Sequence, residues 1–149
     1  MAIKFAQRLF LAAGIYGVAV IAPLFLLEDK IGATNPPAIT HPEFYYGFVC
    51  AAFAWQVVYL MMSRDPIRFR PVLIPAIVGK AGFGVSVFVL FILHRLPRAG
   101  LVLPSIDLVL AALFAWVYVA LGRQAPVAES TPAPTSLIRK RQQKKTRVM

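Results

Sequence analysis

Lys80 is the residue whose chemistry most needs a reason. It interrupts an otherwise uncharged stretch, residues 71–93. It lies about ten residues from the basic boundary at Arg70, roughly 15 Å at 1.5 Å per residue, which is mid-bilayer depth. An ammonium group there costs about 2.5–3.5 kcal/mol on insertion scales, and the surrounding Val, Ile, Leu and Phe residues offset that cost. Such a lysine suits proton transfer, an anionic ligand or a lipid head group. It equally suits a partner inside the bundle: Asp107, or Gln56 together with carbonyls freed by Pro75. Asp107 is the lone charge in its own apolar stretch and follows Pro104 and Ser105. It reads either as a ligand-facing carboxylate or as a helix-start carboxylate favoured by the helix dipole. Gln56, between Trp55 and Val57, fits interhelical hydrogen bonding. Glu43 reads as a helix cap or as the outer edge of a cavity. Taken by depth, Glu43 and Asp107 belong near the outer surface, Lys80 near the middle and Gln56 slightly further in. If all four face one interior, they form a polar column opening outward.

Other chemistries lack their residues. The single cysteine, Cys50, excludes an intramolecular disulfide, a redox pair or a thiolate metal cluster, and it reads as a small core residue. His41 and His94 stand alone, and no Ser-His-Asp set appears in a plausible context. No catalytic residue, metal ligand or cofactor is therefore expected. Gly14, Gly17, Gly79, Gly82 and Gly84 fall within apolar stretches and read as close-approach positions, within the bundle or between copies and partners. No Gly-x-x-x-x-Gly-Lys-Ser/Thr pattern exists to cradle a phosphate.

Elements able to hold such groups follow from the charge distribution. Only 15% of the 149 residues are charged, 59% are hydrophobic, and 16 Lys+Arg against 6 Asp+Glu give a formal net charge of +10. Mean hydropathy is +0.70. A soluble domain carries about 25% charge, so an ordinary water-soluble globule is excluded. Charges instead delimit four apolar stretches, at about residues 9–27, 44–63, 71–93 and 101–122. Each is long enough to cross a hydrocarbon core of about 30 Å as a helix. The expected fold is an all-α four-transmembrane-helix bundle over residues 1–123, with a disordered basic tail at 124–149.

The first stretch carries a basic start and a loose small-residue site, yet Pro23 and the continuing apolar run favour a retained helix over a signal peptide. Basic residues fall mainly on one side: Lys4, Arg8, Arg64, Arg68, Arg70, Arg123 and the tail. Only Lys30, Arg95 and Arg98 fall on the other, so the positive-inside rule places both termini in the cytoplasm. Thr40-His41-Pro42-Glu43 reads as a capping box, with Thr40 the N-cap and Glu43 at N3. Residues 64–71 form a short basic connector that makes the second and third helices antiparallel neighbours. Arg68 and Arg70, with Arg139, Lys140, Arg141, Lys144 and Lys145 of the tail, are expected to contact anionic lipid head groups. The tail lacks interleaved aromatics, which argues against nucleic acid. Tyr45, Tyr46, Trp55, Tyr59, Trp116 and Tyr118 read largely as interfacial anchors.

Ile15-Tyr16-Gly17, the run from Pro36 to Phe48, Ala54-Trp55-Gln56 and Arg64-Asp65-Pro66 together resemble an uncharacterised family of small four-span bacterial integral membrane proteins. Architecture alone is similar to DoxX-like proteins. The resemblance implies a bacterial inner membrane and assigns no functional residue. Two readings of function remain open. One is a non-enzymatic bundle that assembles with or modulates another membrane component. The other is a small-molecule or lipid binder, or a transporter, built on the polar cluster around Lys80.

Overall fold

The computed structural model describes residues 1–34 and 38–123. It contains five α-helices: α1 (Ala2–Ile21), α2 (Glu28–Thr34), α3 (Pro42–Met62), α4 (Leu73–Ile92) and α5 (Val102–Gly122). Short 3-10 turns at Ala22–Leu26, Arg70–Val72 and Arg98–Leu101 extend α1, α4 and α5. The described residues include no strand. Four helical segments, Ala2–Leu26, Pro42–Met62, Arg70–Ile92 and Arg98–Gly122, are long and apolar enough to cross a membrane. The chain is therefore all-helical and fits a small four-span membrane protein. Residues 124–149, where the basic tail was expected, lie outside the described residues.

Three local expectations need correction. First, α1 begins at Ala2 rather than near residue 9. Lys4 and Arg8 stand on its exposed face, while Ala6, Phe10 and Ala13 are buried on the other, so the charges do not end the helix. Long basic side chains reach away from an apolar surface in this way. Second, the loop after α1 contains α2, whose first turn holds Glu28 and Asp29, the charge sign that the helix dipole favours there. Third, the capping box does not form. Pro42 occupies the first helical turn and disfavours helical geometry in the residue before it. His41 (φ −128°, ψ 75°) thereby becomes the N-cap, without a side-chain capping bond. Thr40 lies one residue too early, and Glu43 Oε1 meets His41 Nδ1 at 3.2 Å on the exposed surface.

Side-chain contacts show that the four long helices alternate in direction. The Tyr45 hydroxyl donates to the Leu24 carbonyl at 2.8 Å, joining the start of α3 to the end of the α1 segment. Phe5 meets Trp116 edge-to-face at 5.2 Å, joining the start of α1 to the end of α5. Arg70 Nε donates to the Tyr118 carbonyl at 2.9 Å, and the guanidinium lies 4.1 Å from the Tyr118 ring centroid. That clasp pins the connector to α5 beside Gly122, where a side chain would collide with the guanidinium. The connector itself is folded: the Arg68 amide donates to Asp65 Oδ1, and Pro66 is buried.

Helices pack chiefly as two hairpins, α1 with α3 and α4 with α5. Small residues permit both approaches. Gly14 and Gly17 lie against Leu60 and Gln56, and Gly84 lies against Leu108. Between the hairpins the principal contact is α1 with α5. Its centre is a set of edge-to-face rings, Phe10–Phe114 and Tyr59–Phe114, each at 5.3 Å. Met62, Leu73, Val117 and Leu121 complete this core. It fills the half of the bundle that carries the first residue and Arg123.

Candidate functional site: an intramembrane cleft

Towards the other half, the hairpins diverge around a cavity of about 450 Å³. All four long helices line it: Tyr16 and Gly17 on α1, Phe48 to Tyr59 on α3, Ala76 to Phe83 on α4, and Leu103 and Asp107 on α5. The size lies within the range of small-molecule pockets, about 300–1,000 Å³. Its walls are mainly apolar. Phe48, Ala51, Gly79 and Phe83 are exposed lining residues on α3 and α4, which otherwise touch little, so the cleft opens along that seam. A side chain built at Gly79 would meet nothing within 4 Å. Beyond it the Phe48 and Phe83 rings stack at 6.3 Å across the same seam.

Lys80 and Asp107 meet on the wall of this cleft. Lys80 Nζ donates to Asp107 Oδ1 at 2.6 Å, and the two side chains are 12% and 22% exposed. An α-helical lysine near mid-span and a carboxylate in the second turn of the antiparallel neighbour are brought level by the tight turn at 93–101. The ammonium also lies 5.5 Å from the Tyr59 ring centroid. Only one of its three N–H groups is engaged by a hydrogen bond among the described residues. A close ion pair in an apolar setting is strongly coupled, because effective dielectric screening is weak there.

Gln56 lines the same cleft, yet it does not reach Lys80. Its Nε2 donates to the Ala52 carbonyl one turn back, at 2.8 Å, while its side chain lies against Gly17. It fills the α1–α3 interface. Glu43 is not among the lining residues: it is exposed at the start of α3, beside His41. The polar column thus reduces to Lys80, Asp107 and Gln56. Cys50, expected in the core, is exposed on α3.

Two tyrosines also line the cleft, one of them expected as an interfacial anchor. Tyr59 is 3% exposed and sits beneath Lys80 at the inner end of the cleft, not at an interface. Its hydroxyl has no hydrogen-bond partner among the described residues, and no fully enclosed polar side-chain atom is left unpaired there. The oxygen therefore reaches open space, and the cleft is the space that Tyr59 lines. Tyr16 enters the same wall from α1, also without a hydrogen-bonded hydroxyl. The three-residue spacing of Gln56 and Tyr59 on one helix face was the available signal. Of the basic residues expected at lipid head groups, Arg70 is half-buried in its clasp with Tyr118, while Arg68 is exposed. No group of three His, Cys, Asp or Glu side chains among the described residues could hold a metal ion.

Compared with family models, curated proteins and solved structures, the chain finds no match. The similarity to four-span bacterial families, DoxX-like proteins included, gains no support from these comparisons. What stands is the coarser description, a small protein with four membrane-length helices.

Proposed function

We propose that this chain is a multi-pass protein of a bacterial inner membrane, with both termini cytoplasmic, that binds a small and mainly apolar molecule between its two hairpins. The observation that carries the reading is the position of the Lys80–Asp107 pair, on the wall of a cavity rather than in a closed helix interface. Apolar pockets with a few convergent polar groups are the usual form of small-molecule sites. On the cytoplasmic side, Arg68 and the tail residues Arg139, Lys140, Arg141, Lys144 and Lys145 would contact anionic head groups.

The two tryptophans make the reading testable. Trp55 lines the cleft, whereas Trp116 is exposed on α5. With Trp116→Phe, which keeps a ring against Phe5, all tryptophan emission reports the cleft. A bromine-bearing twelve-carbon alcohol in vesicles should quench that emission saturably, and Gly79→Phe, which fills the open seam, should abolish the saturable part. Quenching that rises linearly with membrane content in both proteins would reject a binding site.

A second reading, assembly with or modulation of another membrane component, has its own supports. Lys80 is already ion-paired, and Gly82 is exposed, with nothing within 4 Å of a side chain built there. Gly82→Phe separates the two: it should disturb assembly while leaving quenching of Trp55 intact.

A further inference from the structure

Resting on that binding reading, we infer that the cleft selects an uncharged, bilayer-dissolved molecule with one oxygen-bearing head, a hydroxyl or carbonyl, on a hydrocarbon body. The charge balance of the wall carries this. Lys80 and Asp107 neutralise one another at 2.6 Å, and among the described residues no other charged side chain lines the cavity. A ligand bearing a formal charge would either remain uncompensated in an apolar space or draw one partner away from the other. Both are unfavourable, because a buried charge without its counter-charge is strongly destabilising. An uncharged head avoids both.

Hydrogen-bonding capacity at the same place is nevertheless unfilled. Two N–H groups of Lys80, the second oxygen of Asp107 and the hydroxyls of Tyr59 and Tyr16 have no bond to any described residue. Tyr59 is nearly fully buried, its ring centroid lies 5.5 Å from the ammonium, and its unbonded hydroxyl contributes to the wall of the cavity that it lines. Donors and an acceptor together suit a hydroxyl, and the donors alone suit a carbonyl. Beyond this group the lining is apolar, with Phe48 and Phe83 flanking the opening. Because that opening runs between two membrane-length helices, the molecule reaches it from the hydrocarbon with its polar end leading inward.

Three bromine-bearing amphiphiles with one shared chain test this in the Trp116→Phe protein: an alcohol, a sulfonate and a trimethylammonium. Compared at equal concentration in the bilayer, the alcohol should quench Trp55 at about tenfold lower concentration than either ion. Asp107→Asn leaves the lysine charge alone and should turn the preference towards the sulfonate. Lys80→Gln should turn it towards the trimethylammonium. Should those variants fail to fold, Tyr59→Phe removes one oxygen from a retained ring. It should weaken the alcohol about tenfold while leaving the matching bromoalkane unchanged. Equal potency of the three heads, or a Tyr59→Phe protein with unaltered alcohol binding, would overturn the head-group inference while leaving a cleft that binds hydrocarbon. Absence of saturable quenching by every probe, bromoalkane included, would overturn the binding reading itself.

Discussion

Lys80 and Asp107 stabilise the bundle only as a pair. Removing one partner leaves a charge in an apolar wall, whereas removing both leaves packing to be repaired. Lys80→Met or Asp107→Leu alone should each cost about 3–5 kcal/mol, and the double variant should recover most of that loss. Equilibrium unfolding in detergent of the four proteins would measure the coupling, and additive losses would contradict it. Glycines provide a second contrast. Gly17→Leu drives a side chain into Gln56 and should separate α1 from α3, while Gly82→Ala meets nothing and should be neutral or slightly stabilising. Depth along the sequence was enough to single out Lys80, Asp107 and Gln56, because a charge or amide in an apolar stretch stands out by type. It could not show that Gln56 bonds its own helix or that Glu43 turns outward, since rotation about a helix axis depends on neighbours. Tyr59 reads from sequence as an interfacial anchor for another reason: tyrosine is at home both at an interface and inside, so its type does not reveal its depth.

At the scale of elements, the ends of helices were harder to read than their existence. Uncharged length specified each membrane-length helix. α1 starts well before the uncharged stretch, because a basic side chain on the exposed face leaves the helix uninterrupted. The capping box failed through Pro42, whose effect on His41 moved the cap by one residue. The end of α4 offers a prediction of the same kind. His94 has φ 55°, and the following Arg95 amide reaches back to the Leu90 carbonyl at 2.9 Å, a helix-terminating pattern that favours glycine. His94→Gly should raise stability by up to about 1 kcal/mol, read as an increase in unfolding midpoint. Arg70→Lys should act oppositely. An ammonium cannot both stack on the Tyr118 ring as a plane and donate sideways to its carbonyl, so the connector should loosen and become more susceptible to proteolysis near Pro66.

For the whole molecule, the proposed orientation rests on the uneven distribution of Lys and Arg between the two ends of the helices. In a Cys50→Ala background, a cysteine replacing Asp65 should react with an impermeant thiol reagent only from the cytoplasmic side. One replacing Arg98 should react only from the opposite side. The reverse result would invert the proposed orientation. The helix order and alternation were legible because they follow from chain connectivity and span length. The division of the bundle into a filled half and an open half was not, since it depends on which apolar faces meet.

That division bears on how the molecule is made. The closest partners are α1 with α3 and α4 with α5, so each half of the chain completes its main interface from its own sequence. The first hairpin has everything it packs against most closely before α4 leaves the ribosome. Joining the halves then rests on the aromatic contacts of Phe10 and Tyr59 with Phe114 and of Phe5 with Trp116 at the same end, whereas the Arg70 clasp lies within the second half. A chain severed between Asp65 and Pro66 and expressed as two pieces should therefore reassemble, and Phe114→Ala, which spares both hairpins, should prevent it.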